Sequence, residues 1–402
     1  MAYQPLPPDV LRAGFPTLFA LRDKSGCLLV PKGTMMDADQ LEQLAARDLY
    51  VDDQDGEALR RAIAGKVHEL VRNDELLGRI AKARPESLEL AAPSAAGRRR
   101  LDDAPTDWSN LQVRLAALLR DAAQPDFAGR LMQLQKTMFE QVNSDADDAL
   151  LLLVHAATQE YHDYSASHAL LVAVVAELAS RHVPGITPAQ RQSLRCAALS
   201  MNVAMTALQN QLAQQSSPLT PQQRAEVDAH PARAVAALRS AGVDDALWLE
   251  AVLHHHDAPG GPLAGMEPAQ RLARLIRRAD VFAARMSPRR GRQALSATAA
   301  AKAAYLDEQG KPDEAGSAII KAVGLYPPGS LVKLADGETA VVLRRGRRAN
   351  APTVACIVNP AGAVLASPAL RQTHMPAHAV TGGVAPHEVK VRLNLQRLLQ
   401  MT

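Results

Sequence analysis

The strongest constraint on the fold is a helical pattern that extends from about residue 109 to about residue 323. Its interruptions are rich in Pro, Gly or Ser and fall at 184–185, 216–218, 242 and 259–262. Hydrophobic residues make up 47% of the chain but aromatic residues only 3%, so Ala, Leu and Val must form most of the core. Because these small side chains let helices pack closely, we predict a mainly α fold.

The chain of 402 residues is long enough for two or three domains, because single cores rarely grow beyond about 250–300 residues. Its start combines a hairpin at 18–30, a helix that opens at Asp37 and an extended segment at 49–51. Residues 83–107 mix Pro, Ser, Arg and acidic residues without periodicity, which is typical of a flexible linker. We predict four regions in chain order: a small α/β module at 1–60, a helix and flexible linker at 61–107, a helical domain at 108–325 and a short β-rich C-terminal appendage at 326–402.

Charge, cysteine content and the first residues argue against several classes of protein. Lys+Arg 45 against Asp+Glu 42 gives a net charge of +3, far below that of proteins that neutralise many phosphates, so we expect no nucleic-acid partner. The three cysteines are scattered without CxxC spacing, which argues against a disulfide framework or a zinc site. Without a signal peptide or a bilayer-spanning run, the sequence predicts a cytoplasmic protein with no membrane span.

Two histidines in the helical region are open to more than one interpretation. His168 lies in a segment at 165–182 that is apolar almost all round, where a lone histidine is more often a hydrogen-bonded core residue than a ligand. Pro231 disfavours helical geometry for the preceding residue, so we predict that His230 lies at a helix junction. There it either projects into a cleft or hydrogen-bonds to free carbonyls.

Three consecutive histidines and one acid continue the series. His254-His255-His256 follows an apolar run, and adjacent residues on a helix point about 100° apart, so one site can use two of them only across that edge. Asp280 lies in a basic amphipathic helix, where the ordinary explanation is a solvated salt bridge. Each residue has such an ordinary explanation by itself, but their order along the chain is informative.

That order resembles the HD-GYP family, bacterial phosphohydrolases that hydrolyse the signalling dinucleotide cyclic di-GMP, over about residues 160–330. The apolar run into His255-His256-Asp257 is similar to the family's run into His-His-Glu, and the segment at 279–292 aligns with the one that carries its late metal-binding aspartate. The resemblance implies an HD-domain-like helical bundle. The metal-binding positions that it implies are His168, His230, His255, His256 and Asp280.

The chain departs from the family where the name-giving His-Asp pair should stand. Here it has Met201-Asn202, in a helix that we predict to run through both residues, and the Gly-Tyr-Pro loop is shortened to 260–262 without tyrosine. A bridging carboxylate contributes on the order of 4 kcal/mol toward each unit charge at about 4 Å, and asparagine lacks that charge. A soft thioether does not replace imidazole for Mn, Fe or Mg. We therefore expect no catalytic residue here, and either no cofactor or a single divalent metal (Mn, Fe or Mg).

The resemblance also places two basic residues, Arg289 and Arg292, at the family's ligand-binding positions. Guanidinium groups bind phosphates with two parallel hydrogen bonds, so a nucleotide site can outlast catalysis. The alternative explanation is a solvated basic loop.

Three functions remain open from the sequence. The favoured one is a degenerate HD-GYP-like signalling protein, inactive or weakly active, that binds a cyclic dinucleotide such as cyclic di-GMP or a protein partner. The second is an active, metal-dependent cyclic di-GMP phosphodiesterase with a rearranged metal site that recruits His254 or Asp257. The third is a homodimeric scaffold without a nucleotide ligand. The sequence thus does not decide whether the chain is an enzyme.

Overall fold

The structure is a computed structural model that describes residues 108–159 and 164–401, together with 3–6, 17, 20–24, 27–30, 34, 37, 44 and 49–52. The chain divides into two compact units, Met1–Pro105 and Thr106–Thr402. Most of the helix predicted to begin at Asp37 lies outside the described residues. The helix and linker predicted at 61–107 lie wholly outside them. The four predicted domain boundaries stay predictions.

The described part of the first unit is a small antiparallel sheet with strand order β1-β4-β2-β3. Its strands are β1 (Tyr3–Leu6), β2 (Leu21–Arg22), β3 (Leu28–Val30) and β4 (Leu49–Asp52). In the turn between β2 and β3, the Asp23 carboxylate accepts a hydrogen bond of 3.0 Å from the backbone N–H of Cys27. The hairpin and the extended segment predicted near the start are confirmed.

The second unit is a helical bundle followed by a sheet. Its helices are α1 (Trp108–Leu119), α2 (Phe127–Ser144), α3 (Ala146–Gln159), α4 (Tyr164–Ser180), α5 (Pro188–Ser200), α6 (Thr206–Gln214), α7 (Pro221–Ser240), α8 (Ala246–Leu253), α9 (Pro268–Met286), α10 (Ala297–Tyr305), α11 (Glu314–Val323) and α12 (Leu395–Leu399). The prediction of a mainly α fold with a helical bundle is confirmed.

Helix α4 forms the centre of the bundle because its sequence is apolar on every side. All of its residues are buried, and it packs against α3, α5, α9 and α11. The surrounding helices therefore present one face to α4 and the other to solvent. This arrangement brings α4, α7, α9 and the residues after α8, which carry the candidate ligands, into one region.

Two of the predicted helix limits are wrong. Helix α5 ends at Ser200, so Met201 and Asn202 lie in a turn before the short 3-10 helix Val203–Met205 rather than inside a helix. Helix α7 begins at a capping box formed by Thr220 and Gln223, but it continues through Pro231 to Ser240. His230 therefore lies inside a helix and not at a junction.

A five-stranded antiparallel sheet follows the bundle, with strand order β8-β7-β6-β5-β9. Its strands are β5 (Leu331–Leu334), β6 (Thr339–Arg344), β7 (Thr353–Val358), β8 (Val364–Gln372) and β9 (Val380–Val384). The turn after β6 is not simply exposed, because Arg344 pairs with Asp145 at 2.8 Å and Arg345 pairs with Asp147. These ion pairs fasten the sheet to the start of α3.

No helix among the described residues is long and apolar enough to span a membrane.

Candidate functional site

The orientation of His230 depends on the proline that follows it. Pro231 has no N–H to give to the carbonyl of Val227 one turn earlier, so that carbonyl is free within α7. The Nδ1–H of His230 donates to it at 2.5 Å. Because a neutral imidazole carries one proton, Nε2 of His230 keeps its lone pair. A helix-breaking residue type thus fixes the tautomer of a histidine that is only 1% exposed.

His255 reaches the same state at a helix end. Helix α8 ends at Leu253, so the carbonyl of Val252 lacks the backbone donor that a further turn would supply. The Nδ1–H of His255 donates to this carbonyl at 2.6 Å, which leaves a lone pair on Nε2. The whole side chain is buried.

The rings of His230, His255 and His256 converge on one point, and we call them the histidine cluster. Each ring offers a nitrogen within 4.8 Å of the others, and Nε2 of His230 is 3.2 Å from Nε2 of His255. Two lone pairs that face each other at this distance favour a cation between them. A tetrahedral ion bound at about 2.0–2.1 Å to each nitrogen would separate them by about 3.4 Å. The donor set therefore fits one divalent metal that accepts imidazole ligands.

His168 and Asp280 are the other two predicted metal-binding residues, and they form a hydrogen-bonded pair. Nε2 of His168 donates to Oδ1 of Asp280 at 2.8 Å. The ring of Tyr164 stacks on that of His168, with centroids 5.4 Å apart and planes inclined by 12°. Nδ1 of His168 is buried without a hydrogen-bond partner among the described residues. The solvated salt bridge suggested for Asp280 is wrong, because its partner is a buried histidine and its own side chain is 19% exposed.

The histidine cluster and the His168–Asp280 pair influence each other's pKa values. Burial and the neighbouring His256 together lower the pKa of His255 to about 3. Burial also lowers the pKa of His230 and of His256. Burial by itself would raise the pKa of Asp280, but the hydrogen bond from His168 and the nearby histidines lower it below its usual range. The three clustered imidazoles are therefore neutral at neutral pH, which is the form that binds metals.

Met201 and Asn202 are buried in the protein interior. The Met201 side chain has no exposed surface and belongs to the main hydrophobic core. Asn202 is 8% exposed, and its Oδ1 has no hydrogen-bond partner among the described residues. The short 3-10 helix that follows them, Val203–Met205, packs against α7, the helix that carries His230. The position of the family's His-Asp pair therefore carries a buried thioether and an unsatisfied amide oxygen.

A cation that the sequence analysis missed touches the histidine cluster. Nη1 of Arg277 donates to Nδ1 of His256 at 3.1 Å, and its Nε lies 3.4 Å from Glu308. Its spacing three residues before Asp280 on α9 places both on one helix face, and this was the available signal. Nδ1 of the neutral His256 therefore accepts a hydrogen bond and its proton is on Nε2, so His256 would bind a metal only after giving up this hydrogen bond or this proton.

The remaining histidine of the triplet lies outside the cluster. His254 pairs with Asp257 at 3.2 Å, and the two side chains are 44% and 70% exposed. The loop after the triplet is held by Arg274, whose guanidinium donates to the carbonyl of Ala258 at 3.1 Å and to Asp313 at 2.8 Å. The loop's attachment to α9 fixes His255 and His256 relative to Asp280.

The two predicted ligand-binding arginines have different surroundings. Arg289 donates from Nη2 to the hydroxyl of Tyr164 at 3.2 Å and lies over its ring at 5.3 Å. Since Tyr164 also stacks on His168, this arginine adjoins the candidate metal site. Arg292 turns back to α9, where it donates to the carbonyls of Ala284 and, at 3.4 Å, Ser287. The sequence analysis missed Tyr164, although its place four residues before His168 puts both on one helix face.

The five predicted metal positions thus lie in one electrostatically coupled site, as a cluster of three histidines and a His168–Asp280 pair. Their role as ligands, and that of Arg289 and Arg292, stays a prediction.

Comparisons with known proteins agree with the resemblance. Over 213 residues the chain is 30% identical to a cyclic di-GMP phosphodiesterase of Pseudomonas aeruginosa, and the match covers 52% of this chain and 50% of that protein. The chain therefore spans about half the length of this relative. A solved structure of an HDG"Y"P protein from Bdellovibrio bacteriovorus aligns with a TM-score of 0.40 and 15% identity, over 80% of this chain and 99% of that one. No protein-family model matches.

The similarity to this phosphodiesterase agrees with the resemblance to the HD-GYP family. Proteins of this family are metal-dependent.

Proposed function

We propose that this protein is a degenerate HD-GYP signalling protein that binds a cyclic dinucleotide and hydrolyses it weakly or not at all. The observation that supports this most directly is the burial of Met201 in the hydrophobic core, next to the unsatisfied amide of Asn202. Neither side chain offers the imidazole or the carboxylate that a multinuclear metal centre requires. The fold is kept while part of its ligand set is missing.

The chemistry explains why this loss matters. Hydrolysis of a phosphodiester by adjacent cations requires that they generate hydroxide and clamp both the attacking and the leaving oxygen. Dications repel each other, and an anionic bridge offsets that repulsion by on the order of 4 kcal/mol for each charge at about 4 Å. Asp280 is a carboxylate of the site, but it already accepts the hydrogen bond of His168. The charge that would hold a second ion is therefore absent at Asn202.

A single metal fits the residues that remain. The histidine cluster, His230, His255 and His256, would hold one divalent ion, since two of its rings are fixed in the tautomer that presents Nε2. Such an ion would act as a Lewis acid toward a phosphate oxygen. The rest of the site would bind and orient the ligand, with Arg289 held against Tyr164 beside His168.

The test combines three measurements on the full chain: elemental analysis, turnover of cyclic di-GMP with added Mn, and calorimetric titration with cyclic di-GMP. We expect at most one equivalent of metal, turnover far below ordinary enzyme rates, and measurable binding. Turnover at ordinary enzyme rates would overturn the loss of catalysis. Failure to bind any cyclic dinucleotide, alongside a clear dimer in solution, would favour the homodimeric scaffold.

An active phosphodiesterase with a rearranged metal set is the second candidate, because the Pseudomonas aeruginosa relative is named as such an enzyme. It would have to recruit His254 or Asp257, but these two side chains pair with each other and face solvent. Two or more equivalents of Mn or Fe, lost when His255 and His256 are replaced, would favour this enzyme. A protein partner and homodimerisation stay predictions.

A further inference from the structure

A basic groove has Arg289 among its lining residues. It has a volume of about 880 Å³ and is lined by residues 288–294 after α9, by residues 386–387 and 389–392 after β9, and by Thr158. Glu388 is not among the lining residues, and its carboxylate accepts a hydrogen bond of 3.0 Å from the N–H of Ala385. Cavities of about 300–1,000 Å³ are typical of small-molecule sites. The groove is therefore large enough for a nucleotide.

The lining carries charge of one sign only. It includes Arg289, Arg290, Arg292, Lys390 and Arg392, and no acidic residue is among the residues that line it. None of these five forms an ion pair with a carboxylate within the described ranges. Five positive charges in one groove are a marked concentration for a chain whose net charge is +3. Such a groove attracts anions.

Backbone hydrogen bonds fix the first segment, residues 288–294, in the absence of a ligand. Arg289 and Arg292 exchange two backbone hydrogen bonds of 2.8 Å, and the N–H of Arg290 donates to the carbonyl of Ala213 at 2.8 Å. The Nε atoms of Arg289 and Arg292 are buried without a hydrogen-bond partner among the described residues. Burial and the charge of Arg289 lower the pKa of Arg292. The fold thus keeps two guanidiniums together without a compensating anion.

The second segment is anchored at both ends. Strand β9 pairs with β5 before it, and Leu398 of α12 is buried after it against Leu151 and Val341. Lys390 and Arg392 lie between these anchors with exposed side chains. The C-terminal segment therefore presents two cations in the groove that residues 288–294 also line.

We propose that Lys390 and Arg392 form the second half of a phosphate-binding groove, in which one phosphate of a cyclic dinucleotide binds at Arg289 and the other binds at these two residues. Because such a ligand carries two phosphodiester groups, it matches two separated groups of cations. The nucleotide part of this inference rests on the proposed function, whereas the phosphate-binding groove rests on the geometry alone. The C-terminal appendage is then a component of the ligand site.

The experiment compares two double variants of the full chain. Lys390→Gln/Arg392→Gln removes the two cations, and Arg347→Gln/Arg348→Gln removes two exposed arginines from another loop of the same appendage. Each protein is titrated calorimetrically with cyclic di-GMP and, separately, with inorganic pyrophosphate, at two salt concentrations. Thermal unfolding checks that both variants fold. We expect the first variant to bind both probes at least about tenfold more weakly with a smaller salt dependence, and the control to stay within about twofold.

The outcomes separate the groove from the proposed function. Binding of pyrophosphate but not cyclic di-GMP, lost in the Lys390/Arg392 variant, would support the groove and overturn the nucleotide function. Unchanged binding of both probes in that variant would overturn the groove and leave the function intact. Failure of the wild-type protein to bind either probe would overturn both. Tighter binding of a single-stranded oligonucleotide than of cyclic di-GMP would also overturn the inference, in favour of a nucleic-acid surface.

Discussion

The histidine cluster and the Met201–Asn202 turn differ in how the fold uses their polar atoms. In the cluster, the Nδ1–H groups of His230 and His255 donate to backbone carbonyls, so both Nε2 atoms stay available. In the turn, the side chain of Met201 packs in the hydrophobic core and the Oδ1 of Asn202 has no partner among the described residues. The histidine cluster therefore presents two lone pairs that can bind a cation, whereas the Met201–Asn202 turn has no charged side chain.

If the proposed function is correct, this difference means that a metal site need not lose all of its ligands together. The cluster is stabilised by hydrogen bonds to carbonyls that Pro231 and the end of α8 leave free, so it persists whether or not a second ion is bound. The loss of a carboxylate costs the fold little, because a neutral side chain is easier to bury than a charged one. The cluster is therefore expected to bind metal independently of the turn.

The largest expected effect comes from restoring the lost ligands. Met201→His/Asn202→Asp returns the imidazole and the anionic bridge, worth on the order of 4 kcal/mol toward an ion at about 4 Å. We expect bound Mn to rise by about one equivalent and cyclic di-GMP turnover to rise on the order of 1,000-fold, as about 4 kcal/mol implies, measured by elemental analysis and product chromatography. Met205→His/Asn210→Asp is the matched control. An unchanged metal content in a folded double variant would show that the site lost more than these two side chains.

Removal of a cluster histidine is expected to have the next largest effect. His255→Ala deletes a buried ring whose Nε2 lies 3.2 Å from that of His230. Mutation of residues that only hydrogen-bond to metal ligands typically lowers metal affinity by about 10- to 100-fold. Because His255 would bind the metal directly, we expect its loss to lower metal affinity at least about 100-fold, measured by competition with a chelator. His254→Ala, at an exposed neighbour, should leave it unchanged. Equal metal affinity in both variants would exclude the cluster as the site.

The pH dependence of stability tests the cluster without metal. The folded pKa of His255 is about 3, while an unfolded histidine titrates near 6.5. The unfolded state alone takes up a proton between these values, so stability is complete above about pH 6.5 and decreases as the pH falls toward 3. In EDTA, urea unfolding at pH 5 should give a free energy lower by about 2 kcal/mol from His255 than at pH 7.

His255→Gln should remove this part of the pH dependence, whereas the same change at the exposed His374 should not. If the slope between pH 7 and pH 5 were identical in the wild type and the His255 variant, His255 would not be buried as a neutral ring.

The smallest effect is expected at Tyr164. Tyr164→Phe keeps the ring stacked on His168 but removes the hydroxyl that accepts a hydrogen bond from Arg289 at 3.2 Å. We expect cyclic di-GMP to bind about two- to fivefold more weakly in calorimetry, with unchanged metal content, since one such bond contributes about 1 kcal/mol or less. Tyr305→Phe is the control. A simultaneous loss of metal would mean that Tyr164 acts on His168 rather than on the ligand.

Local patterns predicted much of the bundle, because apolar periodicity and capping signals act within one element. The helical region at 109–323 was predicted with most of its interruptions, and α7 begins at a capping box. The same local rules were wrong at Pro231 and Ser200. A proline inside a helix is costly by itself, but here the carbonyl that it frees accepts the His230 ring. A side-chain hydrogen bond within the same helix thus satisfies the carbonyl that the proline leaves free.

By itself, the sequence determined which residue types are present and where a metal-binding side chain is missing, since the absence of His and Asp at 201–202 is a chemical fact independent of conformation. The tertiary structure alone decided that Arg277 contacts His256, that Arg289 contacts Tyr164, and that the C-terminal segment lines the same groove as residues 288–294. The physical reason is that these contacts join residues far apart in the chain, whose separation depends on helix packing and not on any local pattern.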